Sequence, residues 1–404
     1  MAEIRYQRGD RNRPRLWAVR AAVRRCGWSV LGLLDRLAPK KARRIVLGSD
    51  KGLKYSGNPR HLFEYLVGKD GWDPYWLTES PEILREVNAK YPGRALRAWS
   101  ARALKMGLTS RWLGFSHSKY DLGPFAYLAR PRFIYLNHGT PLKTMGYEKA
   151  YYDPSVGNTA RAFGAITCCS DFEATLWSRA YRVPLERMWV TGVPRNDRLF
   201  KPDPGVLTRL GLPQGRRVVL YAPTYREKGP LTEYLPAPAL DSGKLLELLE
   251  RHDAVMLIRP HYYEWQAATD MVAHIGSERF MTADERQVPD VNDLLPIVDI
   301  LITDYSSIYF DFLLLDRPII FSCHDVVEYE RDRGFMIDYD ANTPGDKVKN
   351  GHELLQSLDV LLKGGDPYRS SRDRVQRKFH KYVDANSAER IADYVVHHAD
   401  GHHR

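Results

Sequence analysis

Four polar clusters interrupt apolar runs in this sequence, each with side chains suited to moving a proton or gripping an anion. Asn137-His138-Gly139-Thr140-Pro141-Leu142-Lys143 follows the apolar run 133–136. An imidazole can take a proton near neutral pH, and a glycine beside it lets the backbone approach a ligand. Arg259-Pro260-His261, after 255–258, offers two potential positive charges, natural contacts for a phosphate. In Thr303-Asp304-Tyr305-Ser306-Ser307, a serine can cap the helical run that follows, whose free amides and dipole suit an anion. The fourth cluster, Tyr221-Ala222-Pro223-Thr224-Tyr225-Arg226-Glu227, again joins a hydroxyl to an arginine at the end of an apolar run.

Positioning these clusters requires an α/β framework. Strand-length apolar runs at 44–47, 74–77, 133–136, 165–168, 218–221, 255–258, 299–303 and 318–321 alternate with helical patterns such as 59–68, 80–89, 243–251 and 307–315. That alternation predicts parallel sheets covered by helices, where ligands bind beyond the carboxyl ends of strands. A chain of 404 residues exceeds what one hydrophobic core usually serves, and the proline-rich stretch 201–213 marks a boundary. The expected organisation is a basic segment 1–44, a Rossmann-like acceptor lobe 45–200, a Rossmann-like donor lobe 201–369, and helices in 370–404 that pack across both.

The net charge of +10 is confined to one end. Residues 1–44 hold thirteen Lys or Arg against Glu3, Asp10 and Asp35, leaving 47 basic and 47 acidic residues in the remainder. A neutral body argues against nucleic acid as a partner. Within 14–37, Leu16, Val19, Val23, Cys26, Val30, Leu33, Leu34 and Leu37 share a helical face, with Trp17, Trp28, Arg24 and Arg25 beside it. Its longest uncharged stretch, 26–34, is far short of the ~20 residues that cross a bilayer. The pattern predicts an amphipathic helix lying in an anionic headgroup layer, hence a peripheral protein. A second basic stretch, 94–119, alternates Arg97, Arg102, Lys105 and Arg111 with Leu96, Trp99, Leu104 and Trp112 and is the alternative membrane contact. Cys26, Cys168, Cys169 and Cys323 form no metal-ligand or disulfide pattern, which suits a reducing cytoplasm. GxxxxGK[ST], HExxH and GxSxG motifs are absent from the sequence.

Taken in order, His138-Gly-Thr-Pro-Leu-Lys143, Gly192-Val-Pro-Arg-Asn-Asp197, Tyr221-Ala-Pro-Thr-Tyr-Arg226, Arg259-Pro-His261 and Thr303-Asp-Tyr-Ser-Ser307 resemble the CDP-glycerol glycerophosphotransferase family of teichoic acid synthesis. The likeness extends to Asp316-Arg-Pro-Ile319 and Gly334-Phe335. It departs at Asn137, where an aromatic often precedes the His-Gly pair, and at Asp384-Ala385-Asn386, which lacks an expected glycine. The resemblance implies a GT-B-like fold of two lobes and a CDP-glycerol or CDP-ribitol donor. It also implies a lipid-linked glycan or polyol-phosphate acceptor, reached from the cytoplasmic face of the membrane. His138 would activate the acceptor hydroxyl, with Gly139, Thr140 and Lys143 on the acceptor side. His261 would share the catalytic site and, with Arg259, Ser306, Ser307, Thr224, Arg226 and Asp304, would hold the donor. No metal site or cofactor is required, and a bound Mg2+ is compatible with the chemistry. The rival readings are a nucleotide-sugar glycosyltransferase of the same architecture and a non-catalytic membrane scaffold.

Overall fold

The computed structural model describes residues 30–128, 133–149, 160, 162–224, 235–260, 264–283, 285 and 287–398. Two all-parallel sheets form two lobes. The first has seven strands: β1 (Lys41–Gly48), β2 (Asp73–Thr78), β3 (Ala95–Arg97), β4 (Ser110–Phe115), β5 (Phe133–Tyr135), β6 (Phe163–Cys168) and β7 (Met188–Val190). The second has six: β8 (Arg217–Ala222), β9 (Ala254–Ile258), β10 (Phe280–Thr282), β11 (Ile300–Thr303), β12 (Ile319–Ser322) and β13 (Asp346–Val348). Central strands such as β9, Ala-Val-Met-Leu-Ile, are buried throughout, because helices cover both faces of each sheet.

The strand orders, 3-2-1-4-5-6-7 and 10-9-8-11-12-13, each reverse direction once. The reversals fall between β1 and β4 and between β8 and β11. In an open parallel sheet such a reversal opens a crevice beyond the strand ends. The chain thus builds one crevice in each lobe.

The lobes are joined at several places. Met336 N–H donates to the Leu142 carbonyl at 2.9 Å and Thr144 N–H to the Gly334 carbonyl at 3.2 Å, flanking an antiparallel bridge between Lys143 and Phe335. One apolar cluster includes Leu142 and Leu176 from the first lobe with Tyr305, Met336 and Phe379. Near the carboxyl end the chain returns to the first lobe. There Ala388, Ile391, Ala392 and Val395 of the helix Ser387–His397 pack with Leu62, Trp76, Trp112 and Trp189.

The expected amphipathic helix 14–37 lies mostly outside the described residues. Only 30–37 is seen, helical, with Leu31 buried and Val30, Leu33, Leu34 and Leu37 exposed. The basic run that follows has structural partners: Lys40 pairs with Asp35, and Arg44 is buried against Asp73 at 2.7 Å. β1 begins at Lys41, inside the span 1–44 read as an attachment segment. The stretch 94–119 is not a continuous surface band: Leu96 and Trp112 belong to β3 and β4 and are buried in the core, while Arg97, Trp99, Arg102 and Lys105 are exposed. No helix among the described residues is long and apolar enough to cross a membrane. Cys168, Cys169 and Cys323 are buried free thiols.

Candidate active site

The two crevices face each other across a cleft of about 350 Å³. From the first lobe it is lined by residues after β1 (Asp50, Lys54, Asn58), after β4 (Ser116, His117), after β5 (Asn137, His138), and by Arg195. From the second come Ala222, Pro223, Arg259, Pro260, Glu285, Asp290, Ser306, Ser307 and Asp311. The size is within the range of small-molecule sites.

His138 is set by a backbone that only certain residues can adopt. Asn137 sits at φ +50°, a left-handed conformation that asparagine tolerates better than most side chains. Its Oδ1 accepts the Gly139 N–H at 2.9 Å, and its Nδ2 donates to the Thr167 carbonyl at 2.8 Å. This explains the polar residue where the resemblance leads one to expect an aromatic. Asn58 Nδ2 donates to the carbonyls of Leu136 and Asn137, clamping the same turn from below.

The ring of His138 is fixed in turn. Its Nδ1 lies 3.0 Å from the Ser116 carbonyl, which can only accept, so Nδ1 carries the proton and Nε2 is the basic nitrogen. The ring is open to the cleft, while protein encloses it on its other sides. That shortage of water, then the adjacent His117, pushes its pKa down to about 4, with the Ser116 hydrogen bond acting in the opposite direction. The imidazole is therefore neutral in the empty cleft.

The lobes meet beside this ring. Gly139, at φ +145°, is so near the second lobe that a Cβ would fall 2.6 Å from Ser307 Oγ. Arg195 Nη1 donates to the His138 carbonyl at 2.8 Å, and its Nη2 pairs with buried Asp311 at 2.6 Å. The Gly192–Asp197 motif thus stitches three parts together. Asn196 Oδ1 accepts from Asn292 at 3.0 Å, and Asp197 accepts the amides of Ser387 and Ala388. Two more pairs cross the cleft, with Lys54 and His61 on the first lobe: Lys54–Glu285 at 2.8 Å and buried His61–Asp290 at 3.0 Å. Despite its burial, the bond from His61 holds the Asp290 carboxyl far below the usual range, aided by the Asn292 amide.

Of the residues expected at the site, His138, Arg259, Ser306 and Ser307 line the cleft. Arg259 directs Nη1 to the carbonyls of Ala283 (3.0 Å) and Val288 (2.6 Å), so its guanidinium also fastens the loop that carries Glu285 and Asp290. Asp304 is buried and accepts the Thr224 amide at 2.8 Å, a role in shaping the ends of β8 and β11. Thr140 and Lys143 are not among the lining residues. Thr140 is buried, and Lys143 Nζ lies over the Tyr329 ring, 5.7 Å from its centre. His261 and Arg226 lie outside the described residues. His117, Asn58, Lys54, Glu285 and Asp290 were not anticipated. For His117 the sequence holds one signal, Ser116-His117 following the short apolar run Trp112–Phe115, disguised by Arg111. Among the described residues no group of three or more His, Cys, Asp or Glu is placed to hold a metal ion.

A family model for CDP-glycerol:poly(glycerophosphate) glycerophosphotransferase matches residues 32–397. The teichoic acid glycerol-phosphate transferase of Staphylococcus aureus is 28% identical over 391 residues, covering 91% of this chain and 96% of that protein. The teichoic acid poly(glycerol phosphate) polymerase of Bacillus spizizenii is 26% identical, covering 82% and 86%. The solved structure of the wall teichoic acid polymerase TagF superposes with a TM-score of 0.76 at 25% identity, covering 96% of this chain and 98% of that one.

Proposed function

Because the chain belongs to the CDP-glycerol:poly(glycerophosphate) glycerophosphotransferase family and is a transferase of that class, we propose that its cleft moves glycerol phosphate from CDP-glycerol to an acceptor hydroxyl. The acceptor oxygen attacks the β-phosphorus, its proton passes to His138 Nε2, and the bond to CMP breaks with the electron pair leaving on the CMP oxygen. The observation that carries this reading is the close approach of Gly139 to Ser307, which sets the turn bearing His138 in one lobe against the serine that precedes a helix in the other. Ser306, Ser307 and the Arg195 guanidinium then meet the pyrophosphate charge. On the strength of the family likeness, His261 and Arg226 are assigned to the same pyrophosphate, and Arg259 anchors the carbonyls of Ala283 and Val288 beside it. The chemistry as written uses no cofactor, and undiminished turnover after chelation with EDTA is the expected result.

The acceptor is membrane-bound in this proposal, and the enzyme works peripherally on the cytoplasmic face, attached by the basic segment before β1. A CDP-ribitol donor is the nearest alternative, since ribitol-phosphate polymerases also match at 26% identity. Incubation with CDP-glycerol, CDP-ribitol and UDP-sugars, with the released nucleotide analysed, separates the possibilities. CMP from CDP-glycerol is expected; a nucleoside diphosphate from a UDP-sugar alone would overturn the assignment.

A further inference from the structure

Ser116 holds two imidazoles at once. Its carbonyl takes the Nδ1 proton of His138 at 3.0 Å, and its hydroxyl lies 2.9 Å from His117 Nδ1. The two rings stack, with centres 4.8 Å apart and planes 11° from parallel. With both Nδ1 atoms tied to one residue, the Nε2 atoms are the nitrogens left to serve the cleft that both rings line. No described residue gives either Nε2 a hydrogen bond.

A lone general base would need only one of these rings. The second is built in with care: the Asp121 carboxylate accepts the amides of Ser116, His117 and Ser118, fixing the turn. Ser49 Oγ lies 3.0 Å from Ser116 Oγ, so a hydroxyl relay runs from Ser49 through Ser116 to His117. When His117 donates from Nδ1 to Ser116, and Ser116 donates to Ser49, His117 Nε2 presents a lone pair. Two stacked imidazoles resist sharing two positive charges, so His117 stays neutral while His138 takes a proton. The charges facing them, Lys54 and Arg195, oppose a second proton, with Asp50 and Asp121 acting in the opposite direction.

Resting on the transfer reaction above, we propose that His117 and His138 together read a terminal 1,2-diol on the acceptor. His138 Nε2 takes the proton of the attacking hydroxyl, while His117 Nε2 accepts a hydrogen bond from the hydroxyl on the neighbouring carbon. The ends of glycerol and ribitol chains carry this diol; a simple alcohol does not. His117 is thus a specificity-determining residue, and a site built to bond a hydroxyl discriminates against the analogue lacking it.

The test compares two water-soluble acceptors, one ending in glycerol phosphate and one in its deoxy counterpart, propane-1,3-diol phosphate, with CDP-glycerol as donor. The unaltered full-length enzyme should favour the diol about 10-fold or more in kcat/KM, the order of one hydrogen bond. His117→Phe keeps a stacked ring without the nitrogen and should erase that preference by slowing only the diol. His117→Gln, which retains an acceptor atom, should restore part of it. Donor affinity, measured on each variant, should stay within a few fold, showing that the cleft is intact. A diol preference that survives in His117→Phe overturns this inference alone, as does an unaltered enzyme indifferent to the missing hydroxyl. If the unaltered enzyme releases no CMP with either acceptor, the transfer reading falls and this inference with it.

Discussion

Gly139 approaches Ser307 so closely that no side chain fits between them: a Cβ would stand 2.6 Å from the serine Oγ. The two halves of the proposed reaction meet at this contact. Gly139→Ala must both relieve that clash and adopt φ +145°, a strain of about 1–3 kcal/mol. We expect turnover to drop at least 10-fold with only a modest loss of thermal stability, measured by CMP release and by melting. Wild-type turnover in this variant would show that the lobes need not meet there.

His138→Ala should lower turnover by about 10² to 10⁴-fold, the usual contribution of a general base, and leave CDP-glycerol affinity within a few fold. Isothermal titration and CMP release give the two numbers. Turnover retained by the variant removes His138 from the mechanism.

The pH profile follows from the same residue. A neutral imidazole with a pKa of about 4 is the active form, so kcat/KM should hold level down to mildly acidic pH and fall only as pH drops through that value. A bound pyrophosphate favours the imidazolium, so the corresponding limb in kcat should lie at higher pH. Coincident limbs in kcat and kcat/KM would mean that the donor's charge does not reach this ring.

Asp290→Asn leaves the helix-start amides of Gly57 and Asn292 and the imidazole of His61 facing a neutral partner. Hydrogen bonds to charged groups contribute about 1.5–3 kcal/mol, and a loss of that order should appear as a lowered melting temperature. Donor affinity should weaken too, because this pair ties the lobes together. Unchanged melting would show that the pair contributes nothing net. Arg259→Ala should behave alike, since the arginine anchors the carbonyls of the same loop.

Much of this architecture was legible in the sequence. Eight strands are legible because each stands out as a compact apolar run between helical patterns. Four of the five missed, β3, β7, β10 and β13, are three residues each, too short for a periodicity to register. The fifth, β4, has Arg111 and Gly114 within it and reads as an alternating basic surface. Missing it concealed the reversal between β1 and β4, and with it the position of His117. Pairs such as His61–Asp290 and Lys54–Glu285 join residues more than two hundred positions apart, which no local pattern reveals.

Attachment is best tested with a truncation that respects β1. Deleting 1–44 would remove the first residues of a central strand and the Arg44–Asp73 pair. Deleting 1–29 removes eight Lys or Arg with Glu3 and Asp10 and spares both. The shortened protein should bind CDP-glycerol normally and no longer sediment with anionic vesicles, and sedimentation of the intact protein should weaken as salt rises. A truncated protein that stays on vesicles would place the contact elsewhere.

The helix Ser387–His397 follows the second lobe in sequence and packs on the first. During synthesis, strands β1 to β7 emerge and can pair long before residues 388–395 leave the ribosome. Until then Leu62, Trp76 and Trp189 lack the apolar cover that this helix supplies. Of the two lobes, the one translated first is therefore completed second, and a ribosome that stops short of residue 387 releases a chain in which that lobe keeps an open flank.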